Sequence, residues 1–276
     1  MIIGIVGLGL MGGTFAKALK RLGHTIYGYD QSTDAIRYAF EHRMIDSGST
    51  RASDVLPSSD LVILCLYPND IVQFVKENMD LFKFAAVLTD IAGIKTTLTT
   101  EILPVLRVDL EFVFGHPIAG REKKGIQYSD TDIFNGANYV FTPTEHNKVE
   151  TIFWLSELMK SIGFRNVTCI SPKKHDDIIA FTSQLTHVLA LSLANNHPSD
   201  VDLSKFIGDS YRDLTRIAMI NDALWAELFL LNKDSLLTHM ENIRNTLLAY
   251  EDAIRSNDTD CLRQRMKDAA HKRKNL

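Results

Sequence analysis

The chain opens Ile2-Ile3-Gly4-Ile5-Val6-Gly7-Leu8-Gly9-Leu10-Met11-Gly12, and the reading of this stretch decides the fold. Ile2–Val6 is an apolar run of strand length, and Phe15, Ala18, Leu19 and Leu22 recur at helical spacing beyond it. Between them lies a G-x-G-x-x-G pattern, which is informative only when a strand precedes it and a helix follows, as here. Gly7 permits the tight bend, Gly9 lets the backbone approach a pyrophosphate, and Gly12 lets helix and strand pack closely. The helix N-terminus adds free N–H groups and the positive end of a dipole. Residues Gly7, Leu8, Gly9, Leu10, Met11 and Gly12 are therefore expected to hold a dinucleotide. A second apolar run, Thr25–Tyr29, ends at Asp30. An acidic residue there accepts hydrogen bonds from ribose hydroxyls and repels a 2′-phosphate. Gln31-Ser32-Thr33 brings no arginine to offset that preference, so the expected cofactor is NAD.

Working outward, short β-like runs alternate with helical segments to about residue 170. The runs are Ile2–Val6, Thr25–Tyr29, Leu61–Leu66, Ala85–Thr89, Phe112–Phe114, Tyr139–Phe141 and Val167–Ile170. Helical spacing is found over Thr14–Leu22, Asp34–His42, Asp70–Phe82 and Thr96–Leu106. That alternation predicts an α/β fold with a mostly parallel sheet covered on both faces. From Ser171 onward no strand pattern remains, and helices are expected over Ile178–Ala194, Ser204–Ile220, Leu224–Leu231 and Ser235–Ser256, with a short basic one after Asp258. The expectation is a Rossmann-type dinucleotide-binding domain over 1–169 and an all-helical domain over 170–276.

Bulk properties narrow the function classes. The 276 residues are 45% hydrophobic and 23% charged with net charge −4, so no basic field points to nucleic acid. Apolar stretches such as Leu61–Leu66 fall far short of a membrane span. Met1 leads straight into a strand, leaving no room for a signal peptide. Cys65, Cys169 and Cys261 are odd in number and widely spaced, which argues against a disulfide framework or a metal site and for a reducing cytoplasm.

Two further run ends carry polar residues toward the crevice where ligands of such sheets bind. One reads Thr89-Asp90-Ile91-Ala92-Gly93-Ile94-Lys95, the other Phe114-Gly115-His116-Pro117-Ile118-Ala119-Gly120-Arg121-Glu122. His116, directly after a buried strand, can take a proton from an alcohol as hydride leaves the same carbon, because its pKa lies near neutrality. The end of Leu61–Leu66, at Tyr67-Pro68, is expected to flank the cofactor.

Four segments give the chain a resemblance that covers almost its whole length. They are Gly115–Gly120 with Glu122 and Gly125; His175-Asp176; Ser183-Gln184-Leu185-Thr186-His187; and Tyr211-Arg212-Asp213-Leu214-Thr215-Arg216-Ile217-Ala218 with Trp225 and Asn232. Together they resemble the prephenate/arogenate dehydrogenases of tyrosine biosynthesis. The resemblance implies NAD-dependent oxidative decarboxylation of prephenate or arogenate. His116 would bond to the ring hydroxyl and assist its oxidation. Arg216 would bind a substrate carboxylate, His187 would line the pocket, and Glu122, Arg212 and Asp213 would form a polar gate. Trp225 would sit near the interface of a homodimer built through the helical domains. Two departures stand out. Ala92-Gly93 occupies the place of the family's Gly-Ser, whose serine helps hold the hydroxyl, and Gln184 stands where a histidine is usual. A β-hydroxyacid dehydrogenase also opens with Gly-Leu-Gly-x-Met-Gly, but it uses a helical lysine that the segment 178–194 lacks. The missing serine leaves a non-catalytic NAD-binding protein on the same scaffold as a second alternative, and retention of His116 and Arg216 is the feature that separates it from an enzyme.

Overall fold

The computed structural model describes residues 1–120, 123–198 and 200–275. They form two compact units, residues 1–232 and 233–276.

The first unit is built on an eight-stranded sheet: β1 (Ile2–Val6), β2 (Thr25–Tyr29), β3 (Ser47–Ser49), β4 (Leu61–Leu64), β5 (Val87–Asp90), β6 (Glu111–Ile118), β7 (Asn138–Thr142) and β8 (Asn166–Cys169). Their spatial order is β3-β2-β1-β4-β5-β6-β7-β8. The first six run parallel, and β7 joins β6 antiparallel. Alternation along the central strands sends Ile3, Ile5, Leu61, Ile63 and Val113 into one core. Val62, Leu64, Leu88, Phe112 and Phe114 enter the other. A parallel strand buried on both faces has to be apolar on both, which is why these strands read as continuous runs. Helices α1 (Leu10–Arg21), α2 (Thr33–Glu41), α3 (Pro68–Glu77), α4 (Thr96–Ile102) and α5 (Val149–Ser161) supply the rest of the covering. Phe15 and Leu19 of α1 pack into the first core with Leu155 and Met159 of α5. Ile71 and Val75 of α3 pack into the second with Leu98 of α4.

Beyond β8 every regular element among the described residues is helical, beginning with α6 (Pro172–Ile179), α7 (Leu185–Asn195), α8 (Asp209–Thr215) and α9 (Asp222–Leu231). A π-turn over Ala180–Gln184 joins α6 to α7 in one continuous helix. This helix, Pro172–Asn195, is long and apolar enough by length and composition to cross a membrane. It buries His175, Asp176 and Gln184 inside the protein and leaves Ile178, Phe181, Leu189 and Leu193 exposed. The second unit holds α10 (Lys233–Arg255) and α11 (Thr259–Lys274), with the Asp258 carboxylate capping α11 through the Cys261 N–H at 2.9 Å.

Several boundaries differ from expectation for identifiable reasons. β3 is a short polar edge strand with no apolar signature. β5 starts at Val87 because Ala85 adopts φ 59°. The expected helix Ser204–Ile220 is split, since Gly208 takes an extended conformation and caps α8 instead. His116 does not follow its strand but lies inside it. β6 continues to Ile118 because its second half pairs with β7, His116 opposite Val140.

Candidate active site

At the glycine turn, Gly7 adopts φ +91°, and a Cβ there would stand 2.6 Å from the Cys65 carbonyl oxygen. A Cβ on Gly12 would lie 1.8 Å from the Gly7 carbonyl oxygen, so helix and turn meet without room for a side chain. Gly9 is the opposite case: a Cβ would find nothing within 4 Å. The turn is thus closed toward the protein and open at Gly9. α1 begins directly after Gly9 with no side-chain cap, leaving its first N–H groups available to an anion. The Asp30 carboxylate accepts from the Leu8 N–H at 2.6 Å and the Ser32 N–H at 2.8 Å. Those bonds hold the end of β2 against the turn, and a carboxylate retains acceptor sites for ribose hydroxyls.

Two elements away, the β5 end organises the reacting edge. Asp90 and Lys95, both fully buried, form an ion pair. Asp90 also accepts from the Ala92 N–H at 2.9 Å and the Gly115 N–H at 3.1 Å. Lys95 donates to the Gly115 carbonyl at 2.6 Å. Burial pulls the Lys95 ammonium below its usual range, and Asp90 beside it acts in the opposite direction. The pair pins the Ala92-Gly93 loop to β6 one residue before His116.

His116 extends past the last residues that β5 pairs. Its Nδ1 lies 2.9 Å from His175 Nε2. His175 Nδ1 lies 2.8 Å from Asp176 Oδ1. Asp176 in turn accepts from the Lys95 and Thr96 backbone N–H groups, each at 2.8 Å. Its carboxyl feels burial upward, but the bonds from His175 and Thr96 outweigh that and hold it below the usual carboxylate range. His116 falls well below the ordinary histidine value, through burial first and then the neighbouring His175 and Lys95. His175 is also lowered, by burial, with Asp176 opposing. Both rings are therefore neutral at neutral pH.

Nε2 of His116 faces the loop at Gly93: a Cβ built on that glycine would stand 3.7 Å from it and 3.4 Å from Leu228. Leu228 arrives on α9, which reaches the sheet edge at two other points. The Asn221 side-chain amide donates to the Tyr67 hydroxyl, and the Asn69 N–H donates to Glu227 Oε1 at 2.6 Å. Tyr67, the expected flanking strand end, thus meets α9. Gln184 is buried and turned toward α9. Its amide donates to the Leu228 carbonyl at 3.1 Å, and its oxygen accepts from Asn232 at 2.9 Å. It ties the π-turn to α9.

The remaining expected residues are placed as follows. His187 donates from Nδ1 to the Ser183 carbonyl at 2.8 Å, and its ring lies over Trp225 with centroids 3.6 Å apart. Arg216 is exposed, in the turn after α8. Arg212 and Asp213 are exposed, and Arg212 pairs with Asp209 at 3.0 Å and with the Ile207 carbonyl. Glu122 lies outside the described residues. No role followed from sequence for His175 and Asp176, 59 residues and more from His116. Their adjacency at the start of a helix was the available signal.

Two family models match the chain. One, described as a prephenate dehydrogenase nucleotide-binding domain, covers residues 15–168. The other, a prephenate dehydrogenase dimerization domain, covers 171–268. The chain is 28% identical over 244 residues to a prephenate dehydrogenase of Bacillus subtilis, spanning 86% of this chain and 66% of that relative. It is 27% identical over 274 residues to a cyclohexadienyl dehydrogenase of Zymomonas mobilis, spanning 97% and 93%. A crystal structure of prephenate dehydrogenase from A. aeolicus, in complex with hydroxyphenyl propionate and NAD+, superposes with a TM-score of 0.89. Sequence identity there is 30%, with 100% of this chain and 98% of that one covered.

Proposed function

The chain belongs to the prephenate dehydrogenase family, and from that premise we propose that it catalyses NAD-dependent oxidative decarboxylation of prephenate to 4-hydroxyphenylpyruvate, with arogenate as the alternative substrate. The observation that carries this reading is the His116 imidazole, set at the carboxyl edge of the sheet with Nε2 turned toward Gly93. Gly7 to Gly12 follow β1, three strands away from β6 in the same sheet. Prephenate is a cyclohexadienol with two carboxylates, so it needs a base, a cation and a nearby nicotinamide.

NAD, held by Gly7–Gly12 and Asp30, supplies the hydride acceptor. His116 Nε2 accepts the hydrogen bond of the carbinol hydroxyl and takes its proton as hydride leaves the carbinol carbon. Loss of the ring carboxylate as carbon dioxide follows, and aromatisation makes the step effectively irreversible. Arg216 offers a planar fork for a substrate carboxylate, which lysine could not reproduce. His187, stacked on Trp225, would line the pocket beside it, with Arg212 and Asp213 forming a polar gate.

The same reading divides the chain into a cofactor-binding domain, 1–169, and a helical substrate and dimerisation domain, 170–276. A homodimer is supported by the dimerization-domain match and by Leu189 and Leu193 of α7, exposed one turn apart. All three cysteines are free thiols, which fits a cytoplasmic enzyme.

Kinetics of two variants test the assignment. His116→Asn should lower kcat by roughly 10²–10⁴-fold with NAD affinity unchanged. Arg216→Ala should mainly raise the KM for prephenate. Full turnover in His116→Asn would refute the base.

A further inference from the structure

We propose that Asp176 and His175 act as a positioning relay that fixes His116 in its Nδ1–H tautomer, so that Nε2 presents a lone pair toward Gly93. The inference deepens the proposed function by saying what prepares its base.

The relay follows from counting donors. Asp176, an ionised carboxylate, only accepts. Its contact with His175 at 2.8 Å therefore requires a proton on His175 Nδ1. A neutral His175 then carries a lone pair on Nε2. The 2.9 Å contact to His116 Nδ1 requires the proton there to belong to His116, and His116 Nε2 is left unprotonated. The opposite arrangement needs a His175 cation, which burial beside the Lys95 ammonium disfavours. Asp176 itself is held by the Lys95 and Thr96 backbone N–H groups, so the relay is anchored on the loop that carries Gly93.

The consequence is specific to a site without a serine. Where a hydroxyl could accept or donate beside the base, either tautomer could find a partner. Gly93 brings no side chain to His116 Nε2, so orientation of the lone pair falls to the ring's other nitrogen. His175 and Asp176 do not meet the reacting atoms in this account. They act through His116.

Nitrogen-15 NMR of histidine-labelled protein, without substrate or cofactor, reads the tautomer directly. His116→Asn identifies the His116 signals among the nine histidines. At neutral pH the wild-type spectrum should show a protonated Nδ1 and a pyridine-type Nε2 for His116. His175→Phe removes the acceptor and should shift His116 to the Nε2–H form, with kcat lowered roughly 10–100-fold as for lost ligand-orienting partners. His175→Gln, whose amide oxygen can accept near the same point, should restore the Nδ1–H form and much of kcat. A wild-type His116 protonated on Nε2 overturns the proposal, as does Nδ1–H persisting in His175→Phe. Should His175→Phe fail to fold, the wild-type spectrum decides. The predicted tautomer without prephenate turnover would leave the relay standing and remove the substrate assignment instead.

Discussion

At the residue scale, the buried pair Asp90–Lys95 shows how much of the site is structural preparation. Neither residue is placed to touch substrate, yet they join the Gly93 loop to the strand that carries His116. Lys95→Met would leave Asp90 charged, buried and unpaired, which typically costs about 3–5 kcal/mol. A correspondingly lowered urea midpoint is expected, and an unchanged one would contradict the pairing. The two histidines set the pH response. Both have pKa values below the ordinary 6.5 in the folded state, so the unfolded chain binds more protons as pH falls through that value. Stability contributed by the neutral rings is therefore present above about pH 6.5 and lost progressively below it. Urea midpoints at about pH 7.5 and about pH 5 should differ less in His116→Asn than in the wild type. kcat should hold its plateau through neutrality and fall on the acid side with an apparent pKa below 6.5, belonging to the coupled pair.

At the element scale, the turn between β1 and α1 was the most legible part of the chain. Its glycines are required by sterics that operate within a few residues, so the sequence displays them directly. Gly12→Ala should prevent the turn from closing and greatly reduce soluble protein. Gly9→Ala meets open space, so it should leave Tm unchanged while weakening NAD by about tenfold or more, roughly 1.4 kcal/mol. Equal thermal damage from both would contradict the division of roles. β6 was less legible: Gly115-His116-Pro117 reads as a strand ending, but pairing with β7, more than 20 residues later, extends the strand through it. The same distance dependence hid the His116–His175 contact and the turning of Gln184 onto Leu228 and Asn232. Side chains from separate segments meet only once tertiary packing has fixed which helix face turns inward. The π-turn at Ala180–Gln184 shifts that face by inserting a residue into the helical ladder, which no periodicity anticipates.

At the scale of the whole molecule, the order of elements was readable because alternation of strands and helices gives way to helices at a definite point, Cys169 to Pro172. Assembly was legible only through the family resemblance, because an interface leaves apolar residues whose cover is another chain. Leu193→Arg should shift sedimentation from dimer to monomer if α7 lies at the interface; an unchanged dimer would move the interface elsewhere. The reaction itself is tested most directly by stoichiometry. Purified protein supplied with NAD and prephenate, or arogenate, should release one NADH and one carbon dioxide for each substrate consumed. NADH formed without carbon dioxide, or reduction of NAD only by another hydroxy acid, would contradict the account.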